Sequence, residues 1–178
     1  MEVIYREITF AELNTEIFSE FIRKQIVTDC WRKVNGDWII KSDPFIDDWN
    51  NNDLAFLTEC LKNTVSTGGL LYGAFVKEKL KGFVSVESAA LGSDKQYLDL
   101  SCIHVSKDMR RQGIGRKLFE TAKQYAKQKN AKKLYISAHS AVETQAFYKA
   151  MKCTEAQEYD KHHVEKEPYD CQLEYVLE

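Results

Sequence analysis

Two glycines set among cations carry the clearest chemistry in this chain: Arg110-Arg111-Gln112-Gly113-Ile114-Gly115. The stretch follows an apolar run, Tyr97 to Val105, that reads as a strand, and it opens an amphipathic helix. Glycine permits a tight turn and lets backbone N–H groups approach a ligand unobstructed. A helix N-terminus adds unpaired amides and partial positive charge, which suits a phosphate or pyrophosphate. Arg110, Arg111 and, one turn on, Arg116 add charge. Two better-known phosphate motifs are excluded by counting. A dinucleotide fingerprint starting at Gly113 needs glycine at 118, which is Leu118, and no Walker string occurs. Alone, the turn reads equally well as an ordinary helix start, so its context has to decide.

Two other groups of residues could do chemistry. Trp31, Trp38, Asp43, Asp47, Asp48 and Trp49 set carboxylates beside tryptophans, a combination suited to an ammonium group. A surface loop with core-anchoring tryptophans fits the same residues equally well. His162, His163 and Glu165 invite a metal reading. Adjacent histidines in a strand or loop point apart, and no further ligand has fitting spacing, so a solvated loop is expected and no metal site.

The elements that must position these groups follow from periodicity. Residues 3–9 suggest a first strand. Leu13, Ile17, Phe18, Phe21, Ile22 and Ile26 have helical spacing, which predicts an amphipathic helix over about 10–28. Residues 29–52 carry no clear pattern. A helix is expected over 53–63 and strands over 70–77 and 81–89, joined by a polar turn. Another strand is expected over 96–105. Ile114, Leu118, Phe119, Ala122, Tyr125 and Ala126 form one stripe, the clearest helix of the chain. Leu134, Ile136 and Ala138 alternate with polar residues as in a half-buried strand. Ser140 to Glu143 reads as a capping box for a short helix ending near Met151. Two last strands, 153–159 and 170–177, flank a polar loop.

At 178 residues, one domain spanning 1–178 is expected. A net charge of −2 with interleaved charges predicts no nucleic-acid partner. The five cysteines are widely spaced with no CxxC, which favours reduced thiols in a cytoplasmic protein. No run approaches the length of a membrane span.

The pattern Arg/Gln-x-x-Gly-x-Gly/Ala, met by Arg110 to Gly115, resembles the GNAT superfamily of N-acetyltransferases, and so does the element order. The resemblance is strongest from Leu98 to Cys153. It implies an α/β (α+β) fold with a mixed, mostly antiparallel sheet of about seven strands flanked by about four helices. It implies acetyl-coenzyme A as co-substrate, its pyrophosphate on Arg110, Arg111, Gln112, Gly113, Ile114, Gly115 and Arg116. Its pantetheine arm and thioester would lie beside Ile103, His104 and Val105, where a strand bulge exposes amides able to stabilise an oxyanion. Gln145 to Met151 matches the family's second element, which makes Tyr148 the expected proton donor to the departing thiolate. Ala141 replaces an asparagine common in the family, and Lys152-Cys153 replaces a Gly-Phe.

Acyl transfer to an amine also needs a base. Asp99 occupies the strand position of the catalytic glutamate of histone-type members, with Glu87, His139 and His104 as rivals. The resemblance implies that residues 29–52 cover the acceptor, making Trp31, Trp38, Asp47, Asp48, Trp49 and Glu87 candidate substrate contacts. The expected activity is acetyl transfer to a primary amine of a small cationic molecule, such as a polyamine or aminoglycoside. A protein lysine or N-terminal amine, an idle acyl-coenzyme A sensor and a plain nucleotide binder remain alternatives. The oligomeric state is open, a homodimer included.

Overall fold

The computed structural model describes residues 2–178. Its strands follow the β-branched and aromatic runs, and three sheets result. In the first, β1 (Ile4–Glu7), β4 (Leu70–Val76), β5 (Lys79–Val86) and β8 (Cys102–Val105) lie in that order, all antiparallel. In the second the order is β10 (Thr154–Glu155), β11 (Cys171–Val176), β9 (Lys133–Ala138), β7 (Tyr97–Asp99) and β6 (Ala90–Leu91), with β7 parallel to β9. The third sheet is a hairpin of β2 (Gln25–Val34) and β3 (Asp37–Asp47). Helix α1 (Asn51–Ser66) packs with Phe18 and Phe83 on one face of the first sheet, while α2 (Ile114–Gln128) and α3 (Val142–Ala150) fill the main core on the other. A short α4 (Lys161–Lys166) lies over Tyr135 of β9. The mixed architecture agrees with the expected class, although the strand segments outnumber the expected seven.

One expected element is absent. Residues 10–28 form two 3-10 turns, Phe10–Glu12 and Thr15–Phe18, and then enter β2. Thr9 with Glu12, and then Asn14 on the Glu16 N–H, close each turn locally. Leu13 and Phe18 are buried from these turns, whereas Ile22 and Ile26, which the helical pattern placed on the same face, are exposed. The apolar spacing records two turns and a strand, each burying one side.

The unassigned region became the hairpin. Its turn is Asn35-Gly36, both with positive φ (51° and 90°), the two-residue connection whose twist matches that of paired strands. The expected strand 153–159 is only the two-residue β10, and the polar loop after it contains a helix, α4, capped by the Asp160 side chain on the His163 N–H.

Candidate active site

The expected strand 96–105 is split, and the split makes the site. Leu98, Leu100, Ile103 and Val105 all pack on the main core, so the inward phase is two residues, then three, then two. One extra residue between Leu100 and Ile103 is a bulge. Before it, β7 pairs with β9, and the Leu100 N–H still donates to the Tyr135 carbonyl. After it, the Ser101 N–H donates to the Ser85 carbonyl, and β8 pairs with β5 alone. The two sheets therefore part between β8 and β9. Only alternate residues bond across an antiparallel pair. Ser106 N–H donates to Lys81, and His104 sits opposite Phe83, so the N–H groups of Ile103 and Val105 face the open edge.

The glycine turn stands at the mouth of this gap. Gly113 has φ +82° and caps α2 with no side-chain hydrogen bond, and the first helical bond is Lys117 N–H to the Gly113 carbonyl. The amides of Ile114, Gly115 and Arg116 are thus left without helical acceptors. A Cβ on Gly115 would lie 3.1 Å from the Phe147 ring and 3.7 Å from Val105, so glycine lets α2 close against α3 and β8. Arg111, Gln112 and Arg116 are exposed beside the turn. Arg110 is not free to face a phosphate: its guanidinium donates to the carbonyls of Val105 (3.1 Å), Lys24 (3.3 Å) and Arg23 (2.8 Å). Its role is an anchor between the end of β8 and the entry to β2.

Tyr148 is buried in the core against Phe147, and its hydroxyl has no hydrogen-bond partner among the described residues. Burial raises its pKa, and the nearby Cys153, Cys102, Asp170 and Asp99 raise it further. Asp99 is 7% exposed; its Oδ2 lies 2.8 Å from His163 Nε2, and its Oδ1 is buried without a partner among the described residues.

The rival bases are otherwise engaged. His104 packs against Trp49 and Phe83, and burial, with Arg23 and Arg110 nearby, pushes its imidazole down to about 3, too weak a base for an amine. His139 Nδ1 accepts the Ala141 N–H at 3.0 Å, so the lone pair of that nitrogen is already engaged. Glu87 Oε1 accepts from the Thr64 and Ser101 hydroxyls, and its N–H donates to the Asp99 carbonyl, so it braces the bulge.

The hairpin crosses the gap. Trp31 N–H donates to the Ser140 carbonyl at 2.8 Å, Arg32 reaches the Ser140 hydroxyl, and Phe45 lies 5.3 Å from His139. The acidic and aromatic candidates are not gathered into one cage. Trp38 sits near the tip, bonded to Glu155, whereas Trp49 lies past the other end, stacked on Phe21. Asp47 is paired with Arg23, and exposed Asp48 accepts from the Trp49 N–H. Two contributors have no signal in the sequence: Arg23 lies over Trp49, and Asp170 accepts from Ser137. His163, expected in a solvated loop, is instead half-buried on Asp99. Nothing in the spacing of Arg23 or Asp170 announces them, whereas the Asp160 cap three residues before His163 was a readable helix start.

A sheet split by a bulge, with edge amides facing the gap and an uncapped glycine turn at its mouth, suits an anion at the turn and a carbonyl oxygen in the gap. The chain belongs to the GNAT acetyltransferase family, whose family model matches residues 25–152. Members are acyltransferases whose acetyl donor is acetyl-coenzyme A. A nourseothricin acetyltransferase is 15% identical, with 99% of both chains covered and a TM-score of 0.69. A protein assigned as a streptothricin acetyltransferase from Bacillus anthracis, solved with acetyl-coenzyme A, is 18% identical over 99% of this chain and 98% of that one, with TM-score 0.71. The PaiA N-acetyltransferase of Thermoplasma acidophilum, solved with coenzyme A, is 14% identical over 99% of both chains, with TM-score 0.62. At these identities the likeness is one of fold. No curated protein matches the sequence. Among the described residues no helix is long and apolar enough to cross a membrane.

Proposed function

We propose that this chain, as one domain, transfers the acetyl group of acetyl-coenzyme A to a primary amine of a small cationic molecule, by direct attack with both substrates bound. The residues fit the donor: three free amides and a left-handed glycine at the start of α2 suit a pyrophosphate, and the edge amides of Ile103 and Val105 suit a thioester carbonyl. Tyr148 supplies the proton for the departing thiolate. Asp99 takes the amine's proton.

The observation that carries the cationic acceptor is Asp99 itself, a buried carboxylate with one oxygen bare, with a second carboxylate, Asp170, bonded to Ser137 of the adjoining β9. Such a concentration of negative charge favours an ammonium-bearing molecule over a neutral one. The antibiotic substrates in the names of two structural relatives support the same class.

The test is release of coenzyme A thiol from acetyl-coenzyme A with streptothricin, spermidine, kanamycin and a lysine-containing peptide as acceptors. Turnover with at least one small amine, above that with the peptide, is expected. Faster acetylation of the peptide, or no thiol release from any acceptor while acetyl-coenzyme A binds, refutes the reading.

A further inference from the structure

Helix α4 is held so that one imidazole meets one carboxylate. The Asp160 side chain takes the His163 N–H at 3.0 Å, the Asp160 N–H donates to the Tyr135 hydroxyl at 2.9 Å, and the His163 ring stacks on Tyr135 at 5.5 Å. With the ring so fixed, Nε2 reaches Asp99 Oδ2 at 2.8 Å. The other oxygen, Oδ1, has no partner among the described residues, although burial of a bare carboxylate oxygen is costly. Asp99 is the last residue of β7, directly before the split that opens the gap, so a donor arriving there with a substrate would complete the bonding of Oδ1.

We propose that Asp99 and His163 act as a pair at the acceptor subsite, Asp99 Oδ1 receiving an N–H of the amine while His163, a positioning residue, donates from Nε2 to Oδ2 and fixes the carboxylate's direction and charge. This rests on the N-acetyltransferase reading. An ammonium acceptor first loses one proton to solvent. The amine lone pair then forms the C–N bond as the C–S bond breaks. The proton released from nitrogen passes to Asp99 Oδ1, the thiolate takes one from Tyr148, and both residues exchange with solvent after the products leave.

The groups around His163 are Asp99 on β7, Tyr135 on β9, Asp170 before β11, and Asp160, His162 and Lys166 from its own segment. The Asp99 hydrogen bond raises the imidazole pKa against the effect of burial. A raised folded-state value means that the pair's contribution to stability is complete below the unfolded histidine pKa and is lost as pH rises through the folded one. Its neutral ring still donates from Nε2, so catalysis persists above that point.

The experiment compares pH–rate profiles of the wild type, His163→Ala and His163→Gln, with spermidine, streptothricin and kanamycin as acceptors. In His163→Ala Asp99 Oδ2 loses the one hydrogen bond the carboxylate side chain holds, and the acidic limb of kcat moves up by about one pH unit, a roughly tenfold loss below it. KM for acetyl-coenzyme A stays put, and His163→Gln, which keeps an N–H donor, restores the limb. An unmoved limb, or a loss equal at every pH, overturns the pair while leaving the enzyme intact. A second readout needs no turnover: the NMR titration midpoint of His163 is expected above the ordinary histidine value and should fall in Asp99→Asn. A midpoint unchanged by Asp99→Asn overturns the pair. A midpoint that falls, with no acceptor acetylated by the wild type, overturns the reaction instead.

Discussion

Removing the Tyr148 hydroxyl should separate catalysis from stability. In Tyr148→Phe the ring keeps its place in the core against Phe147, 5.2 Å away, and no hydrogen bond within the described residues is broken. A hydroxyl with no hydrogen-bond partner in the protein contributes little to the fold, so the unfolding free energy should change by less than about 1 kcal/mol. The chemical step should fare differently. A positioned general acid typically accelerates a reaction about 10²–10⁴-fold, which corresponds to roughly 2.7–5.4 kcal/mol of barrier. The expected result is a kcat at least about 100-fold lower, with KM for acetyl-coenzyme A nearly unchanged. Burial raises the hydroxyl's pKa, and the sign of that shift sets the pH profile: an acid with a raised pKa keeps its proton further into the alkaline range. Tyr148 should therefore impose no basic limb below about pH 10. The assays are thiol release against pH and chemical denaturation on the same preparation. A kcat within about threefold of wild type would refute the role given to the hydroxyl. Destabilisation beyond about 2 kcal/mol would show that the hydroxyl is structural.

Two further substitutions test the frame around it. Gly113→Ala meets no atom within 4 Å but must hold φ +82°, so it should cost about 1–2 kcal/mol of stability and raise KM for acetyl-coenzyme A several-fold with kcat largely kept. An unchanged KM there would separate the turn from the donor. Arg110→Met removes donors from three carbonyls and should lower the unfolding free energy by about 2–3 kcal/mol and speed hydrogen exchange over residues 23–26; exchange as slow as in the wild type would show that the anchor is immaterial.

The readable and the unreadable parts of the sequence divide by the range of the interactions that fix them. Helix α2 was plain because its stripe and glycine start are local. So were the alternation in β9 and the paired strands β4 and β5. Local spacing misleads over 10–28, where Thr9 and Asn14 each start a separate short turn and the chain then enters β2, which leaves Ile22 and Ile26 in solvent. Asn35-Gly36 marks the hairpin's turn, but its strands are largely exposed and lack a clean apolar alternation, so they do not read as strands. Asp99 was placed by its strand position, but its bond to His163 joins residues 64 positions apart. Arg110 misled for the same reason: an arginine beside a phosphate turn looks electrostatic, and only the folded chain shows three carbonyls converging on it. The bulge lay between, since the change of apolar phase from Leu100 to Ile103 is visible in the sequence once its meaning is known.

The hairpin compensates for what the bulge breaks. Where β8 and β9 part, each loses a neighbour along its inner edge, and a gap bounded by two short, unsupported strand ends would spread. The hairpin holds both ends. At its base, Arg23 and Lys24 take the Arg110 guanidinium, which also holds the Val105 carbonyl at the end of β8. Midway, Trp31 and Arg32 bond Ser140, two residues past β9, and Cys30 bridges to Ala141. At its tip, Lys33 and Trp38 meet Glu155 of β10. The cover of the gap is therefore also its brace, and the two proposed substrates meet different parts of the chain. In the proposed reaction the donor would rest on the turn before α2 and the edge of β8. The acceptor would rest on Asp99, on His163 of α4, and on the inner side of a hairpin tied to both strands. Substitutions at Phe45 or Trp31 should accordingly alter which amine is accepted more than how tightly the donor is held.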